Sequence, residues 1–174
     1  MAASTVTEEP TRRDFLFVAT GAMGAVAAGF AAWPLIDQMS PDATTLAAAS
    51  IDIDIANIAV GQIVTVKWRG KPVFISHRTQ REIEAARGVD LNELRDPESD
   101  AARVQKPEWL IVIGVCTHLG CVPISNDGPI EGGYFCPCHG SVYDASGRIR
   151  QGPAPANLAL PPYKFVSDTK ITIG

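Results

Sequence analysis

Two short segments, Cys116-Thr117-His118-Leu119-Gly120-Cys121 and Cys136-Pro137-Cys138-His139-Gly140-Ser141, hold all four cysteines and two of the three histidines of this 174-residue chain. So dense a grouping reads as metal chemistry, a disulfide, or both. Each segment offers one pair, Cys116 with His118 and Cys136 with His139, so the simplest ligand set is two thiolates and two imidazoles. Cys138 and His139 are adjacent, and neighbouring side chains rarely converge on one metal centre. That set leaves Cys121 and Cys138 over, one in each segment, free to cross-link the two. A cross-link closing a loop of this size is worth about 3 kcal/mol in the chain-entropy account. A second reading uses all four cysteines as zinc ligands, although structural zinc sites usually take C-x(2–4)-C pairs and the spacings here are C-x(4)-C and C-x-C. Both readings stand at this point.

Each segment follows a strand signal that would position it. Trp109 to Val115 is an apolar run leading into Cys116, and Gly132-Gly133-Tyr134-Phe135 leads into Cys136. Asp144-Ala145-Ser146-Gly147 predicts a turn joining strands around Val142-Tyr143 and Arg148-Ile149. Upstream, Ile51, Ile53 and Ile55 alternate with Asp52 and Asp54, the period of a half-buried strand. Val64, Val66 and Trp68 repeat it, and Gly70-Lys71-Pro72 turns the chain into Val73-Phe74-Ile75. One helix is predicted near Thr79 to Arg87, where Thr79 and Glu82 have capping-box spacing. Leu91 to Pro107 is polar and reads as an irregular surface excursion. Lys164-Phe165-Val166 and Lys170 to Ile173 close the chain as a hairpin. Residues 50–174 therefore read as an all-β, antiparallel domain that presents two Cys/His loops side by side.

The N-terminal part carries an address and an anchor. Arg12 and Arg13, in a flank spanning residues 1–14, have the look of a twin-arginine export signal. Residues 15–37 follow as an apolar stretch without charge up to Ile36, long enough to cross a hydrocarbon core as one helix. A cleaved signal peptide is one reading, with Ala47-Ala48-Ala49 offering small residues for a peptidase. A retained anchor is the other, favoured by the small-residue spacing of Gly21, Ala25 and Gly29. After Arg13 the next basic residue is Lys67, so the positive-inside rule puts the N-terminus in the cytoplasm and the body on the outer side. That compartment is oxidising and tolerates a disulfide. Residues 38–49, broken by Pro41, read as a flexible hinge.

Composition narrows the function. Hydrophobic residues make up 46% and charged residues 20%, a globular balance that argues against wholesale disorder. A net charge of −4 without a Lys/Arg cluster argues against nucleic acid as a partner. No pair of carboxylates is spaced for general acid and base work, and a Ser-His-Asp site lacks a free histidine. His77 reads as a surface residue at a strand end, and Trp33 as an interfacial anchor.

The two segments together, C-T-H-L-G-C and C-P-C-H-G-S, resemble the paired boxes of the Rieske iron–sulfur family, and more narrowly the bacterial type found in ubiquinol:cytochrome c oxidoreductase, the cytochrome bc complex. The likeness extends to the twin-arginine anchor, the linker, Tyr143 and the Gly152-Pro153-Ala154-Pro155 loop. It implies a Rieske-type antiparallel β domain with an inserted cluster-binding part, about 112–160, behind one transmembrane helix. It also implies one [2Fe–2S] cluster, with Cys116 and Cys136 on the inner iron, His118 and His139 on the outer one, and a Cys121–Cys138 disulfide. Ser141 would donate to a bridging sulfide and Tyr143 to the sulfur of Cys116. Leu119, Gly140 and the Pro153 loop would shield or tune the cluster. Val142 departs from the polar residue that relatives often carry there.

The function implied is electron transfer from quinol to a membrane-bound c-type cytochrome, coupled to proton release, with His139 receiving the quinol hydrogen bond and proton. Cytochrome b would be the neighbouring subunit, the complex dimeric, and the location the bacterial inner membrane with the soluble domain periplasmic. The residue types suit that task, because replacing two thiolates by neutral imidazoles makes the cluster less negative. Rieske potentials accordingly reach about +300 mV, against about −400 mV for all-cysteine plant-type clusters. The alternatives are the small subunit of a soluble periplasmic oxidase of the arsenite oxidase type and a redox-inactive zinc-binding module.

Overall fold

The computed structural model describes residues 11–47 and 49–174, and the chain divides into two units, Met1–Leu46 and Ala47–Gly174. Most of the flank before Arg12, and Ala48 of the alanine triplet, lie outside the described residues.

In the first unit, α1 (Arg12–Asp37) begins at Arg12 rather than Phe15 because Thr11 and Asp14 form a capping box. The Asp14 N–H donates to the Thr11 hydroxyl at 3.3 Å, and the Thr11 N–H donates to the Asp14 carboxylate at 2.8 Å. At the α-helical rise, its 26 residues measure about 39 Å, enough to cross a hydrocarbon core of about 30 Å. No residue of α1 is buried, and the helix is long and apolar enough to cross a membrane. Beyond it, residues 38–49, expected as a flexible hinge, contain one short helix, α2 (Ala43–Ala47). Asp42 starts it by accepting from the Thr45 N–H at 2.7 Å.

The second unit is built on three antiparallel sheets. β1 (Ile51–Asp54), β9 (Tyr163–Phe165) and β10 (Lys170–Ile173) form the first, in the order β1-β10-β9. β2 (Ile63–Trp68), β3 (Lys71–His77) and β4 (Trp109–Ile113) form the second. β5 (Ile124–Ser125), β6 (Tyr134–Cys136), β7 (Ser141–Tyr143) and β8 (Ile149–Gln151) form the third, inserted between β4 and β9. The β2–β3 turn lies at Arg69-Gly70, both with positive φ (47° and 77°), so Lys71 and Pro72 already belong to the strand.

The second sheet is the wall between two cores. Side chains alternate across a strand, so Val73, Ile75, Trp109 and Ile111 pack with Ile171 and Ile173 of the first sheet. Phe74, Leu110 and Val112 emerge on the other face and pack with Tyr134, Tyr143, Ile149 and Leu158. Burial on both faces explains the unbroken apolar run Trp109 to Ile113. His77 departs from the expected surface position. It is half-buried, with Nδ1 donating to the Ile58 carbonyl at 2.7 Å and its ring stacked on Trp109 at 4.1 Å between centroids.

The excursion after α3 (Gln80–Arg87) is more tightly held than its polarity suggested. Its 3₁₀ turn, Leu91–Glu93, and α4 (Asp100–Arg103) carry Leu94, Asp100 and Arg103 into the interior. Arg78 donates to Asp100 at 2.6 Å, the Ser146 hydroxyl donates to the same carboxylate, and Arg103 Nε donates to the Ser146 carbonyl at 2.6 Å. Arg148, buried beside Asp144, donates to the Ala86 carbonyl at 2.6 Å. Burial pushes the Asp100 carboxyl up, but hydrogen bonds from Arg78 and Ser146 and the charges of Arg78 and Arg148 more than offset it, leaving it below the ordinary carboxylate range. Polar residues stay inside here because each finds a partner, a property that hydropathy alone does not reveal.

Candidate metal centre

The two boxes are built on one backbone device. In the first, the Gly120 N–H donates to the Cys116 carbonyl at 2.9 Å, and in the second the Gly140 N–H donates to the Cys136 carbonyl at 3.0 Å. Gly120 and Gly140 end these turns at φ +83° and +74°, the left-handed region that glycine reaches without steric cost. Each turn therefore opens on a cysteine, Cys136 at the end of β6 and Cys116 three residues beyond β4, and folds back on a glycine. Within this shared frame the first box places histidine two residues after its cysteine, and the second places it three residues after.

That arrangement sorts the side chains by depth. Cys116 and Cys136 are free and buried, at 3% and 2% exposure. His118 is half-buried and His139 is exposed, with their rings edge to face at 4.7 Å between centroids. Cys121 and Cys138 are joined in a disulfide that ties the boxes together, with Cα atoms 6.7 Å apart. The sulfurs of Cys121, Cys136 and Cys138 lie within 4.8 Å of one another. Two of these three are bonded to each other, so their proximity is not a ligand set. The same bond excludes the four-cysteine zinc site.

Hydrogen-bond donors around the buried thiols favour negative sulfur, most of all at Cys116. The Tyr143 hydroxyl accepts from the Thr117 N–H at 3.2 Å and lies 3.2 Å from Cys116 Sγ and 3.3 Å from Thr117 Oγ1, so its proton has the sulfur and the threonine oxygen within reach. Burial, and next the Cys116 hydrogen bond, push the Tyr143 pKa up to about 12, so the group stays a neutral donor. Burial also pushes the Cys116 thiol up, but Tyr143, the His118 N–H, Cys136 and Ser141 outweigh that and hold it below its ordinary value. Cys136 is pushed up by burial and by nearby Cys116, against the N–H groups of Cys138 and His139. Soft sulfur donors inside, imidazoles at the rim and hydrogen-bond donors aimed at the sulfur make a donor set that fits an iron–sulfur centre.

A third segment leans on both boxes. Gly152 takes φ +97°, and a Cβ there would lie 2.6 Å from the Gly140 carbonyl oxygen and 2.6 Å from Ser141 Cα. The Ala154 N–H donates to Ser141 Oγ at 3.2 Å, and the Thr117 hydroxyl donates to the Ala156 carbonyl at 2.6 Å. Pro153 is exposed between these contacts. Leu119 projects into solvent at 72% exposure. Val142 is buried in β7 opposite Phe135, so the departure at this position is an interior one. Arg12 and Arg13 form the first turn of α1, in the other unit. Sequence reasoning passed over Thr117, which lies inside the first box and whose only signal was its neighbours. It also passed over Arg95, Asp96 and Asn157, which carry no sequence signal of a site.

Comparison with known proteins agrees with this geometry. Residues 51–164 match the Rieske [2Fe–2S] domain, and residues 2–42 match the TAT signal of the ubiquinol–cytochrome c reductase Fe–S subunit. The chain is 60% identical over its full length to the full-length ubiquinol-cytochrome c reductase iron-sulfur subunit of Bradyrhizobium diazoefficiens. It is 59% identical to that of Blastochloris viridis, over 99% of this chain and 97% of the relative. A chain of a solved hyperthermophilic respiratory Complex III superposes with a TM-score of 0.55 at 28% identity, covering 88% of this chain and 97% of the other. On the family match and the full-length relatives, this chain belongs to the Rieske [2Fe–2S] family, among the iron–sulfur subunits of ubiquinol–cytochrome c reductase.

Proposed function

We propose that the protein is the electron-transfer subunit of a quinol:cytochrome c oxidoreductase, anchored in the bacterial inner membrane by α1. The observation that carries this reading is the depth ordering of the centre, with free thiols buried and imidazoles at the rim of a disulfide-tied pair of loops. Cys116 and Cys136 would hold the cluster at its buried iron, and His118 and His139 at its exposed one. A [2Fe–2S] cluster bound there supplies one-electron transfer at a high potential for its class. Tyr143 and Ser141 direct their hydroxyls toward the sulfur side. His139, exposed at the tip, presents its free ring nitrogen to a quinol hydroxyl, accepts its hydrogen bond and takes its proton. Leu119, next to His118 in the first box and exposed, offers an apolar surface to the site that delivers the quinol.

The partners follow from the same reading. A cytochrome b subunit provides the quinol site, a membrane-bound c-type cytochrome receives the electron, and the complex is dimeric. Arg12 and Arg13 direct twin-arginine export, the N-terminus stays cytoplasmic, and the body lies in the periplasm. Residues 38–49 act as the hinge between anchor and body. The reported relatives carry the quinol-linked name, which gives the soluble oxidase reading no support.

The test is purification from membranes with iron and acid-labile sulfide analysis and low-temperature electron paramagnetic resonance. Two irons, two sulfides and a Rieske-type signal after ascorbate reduction are expected, the signal disappearing in His139→Ala. A colourless protein holding one zinc and no sulfide would falsify the reading.

A further inference from the structure

The 152–157 segment is gripped from two sides. On the inner side the boxes hold it, through Ser141 Oγ accepting from the Ala154 N–H and the Thr117 hydroxyl donating to the Ala156 carbonyl. On the outer side the excursion holds it. Arg95 Nη1 donates to the Gly152 carbonyl at 2.6 Å and to the Ala154 carbonyl at 2.5 Å, bracketing Pro153 with one nitrogen. Next to it the Asp96 carboxylate accepts from the Asn157 N–H at 2.9 Å, and Asn157 Nδ2 returns a bond to the Asp96 carbonyl at 3.1 Å. Asn157 Oδ1 also accepts from the Ile149 N–H at 3.0 Å, carrying the grip into β8.

Arg95 itself is exposed, yet its place on the chain is set independently of what its head group touches. Leu94 is buried at 5% exposure on one side, and Asp96 is bonded to Asn157 on the other. A guanidinium delivered from so fixed a point can hold two carbonyls at little further cost in side-chain entropy.

We propose that Arg95 is a positioning residue for the redox centre. It presses the 152–155 turn onto the second box, so that the Ala154 N–H occupies the acceptor side of Ser141 and leaves the Ser141 proton free for the sulfur side. The inference rests on the proposed function, because it concerns how the centre is tuned, but Arg95 touches neither box directly. Its effect travels through the turn and Ser141.

That route makes a specific statement about coupling. Loss of the Arg95 bonds loosens the Ala154 N–H, the Ser141 hydroxyl loses its preferred direction, and the reduced, more negative centre loses a donor. The midpoint potential therefore falls. A bare electrostatic role for the Arg95 charge would also lower the potential, but without Ser141 as an intermediary. Residues acting through one network are non-additive, whereas independent ones add.

The experiment is a double-mutant cycle in the membrane-purified full chain, read by redox titration of the electron paramagnetic resonance signal. Arg95→Ala is the main variant, with Arg95→Gln as a milder second in case the first retains too little centre to titrate. The expected result is a downward shift of the midpoint in the Ser141-containing protein and a much smaller shift in the Ser141→Ala background. Arg95→Lys, which keeps a multiple donor, should recover part of the potential. An unshifted midpoint for both Arg95→Ala and Arg95→Gln, or an equal shift in both backgrounds, overturns the positioning role. Absence of a Rieske signal in the unsubstituted protein is a different failure, which removes the proposed function itself.

Discussion

Cys116 shows how a single residue is prepared for its task. It lies three residues beyond β4 of the second sheet, is buried among apolar side chains, and still meets donors from Tyr143, Ser141 and the His118 backbone. Burial opposes negative charge on sulfur and the donors favour it, and the donors prevail. Among them Tyr143 has the most direct geometry, its hydroxyl lying 3.2 Å from Cys116 Sγ, with Thr117 Oγ1 at 3.3 Å as a second acceptor within reach. Tyr143→Phe should therefore keep the fold and the centre while lowering the midpoint potential by something on the order of tens of mV, the scale at which about 1.4 kcal/mol corresponds to 59 mV for one electron. Redox titration of the variant measures it. A midpoint equal to that of the parent protein would show that the hydroxyl does not donate to the sulfur.

At the scale of elements, the centre depends on three loops being held together by different means. A disulfide joins the two boxes, and hydrogen bonds hold the 152–157 segment against them. Gly152 is the point of closest approach, where φ is +97° and a side chain would run into the Gly140 carbonyl and the Ser141 backbone. Gly152→Ala must either strain that backbone or push the turn outward. A cost of about 1–3 kcal/mol is expected from the backbone alone, seen as a melting temperature several degrees lower in thermal unfolding followed by circular dichroism. An unchanged melting temperature would mean that the turn has room to move and is not pressed on the box.

For the whole molecule, a buried ionic lattice ties together the second sheet, the excursion and the turn after β7. Arg78 and Asp100 are both about fully buried, with side-chain exposures of 1% each. Removing one member of such a pair leaves an uncompensated buried charge and costs about 3–5 kcal/mol. Asp100→Asn should destabilise by that order near neutral pH. The pH dependence follows from the depressed carboxyl of Asp100. Its contribution is complete above the unfolded carboxylate value of about 3.9 and is lost as pH falls through the lower folded value. Denaturant unfolding of both proteins between neutral and strongly acid pH should show the stability gap narrowing only on the acid side of pH ~4. A gap of constant size across that range would show that the Asp100 charge is not its source.

Residue types and spacing along the chain sufficed for the all-β body, the membrane-length helix and the family, because period-two alternation, an uncharged apolar run and two cysteine-histidine boxes are local patterns. The capping box at Thr79 and Glu82 was legible for the same reason, since both partners lie within one turn. Tertiary structure alone decided what depends on residues far apart. Leu91 to Pro107 looked like solvent-exposed chain because its partners, Arg78, Ser146, Arg148 and Leu158, are remote in sequence. His77 looked superficial until Trp109 and Ile58 were brought beside it. Arg95 could not be connected with the boxes until the fold carried Gly152 and Ala154 to its side chain. Local pattern follows from backbone geometry repeated every two or four residues, whereas a buried polar group is identified only by the partner that the folded chain supplies.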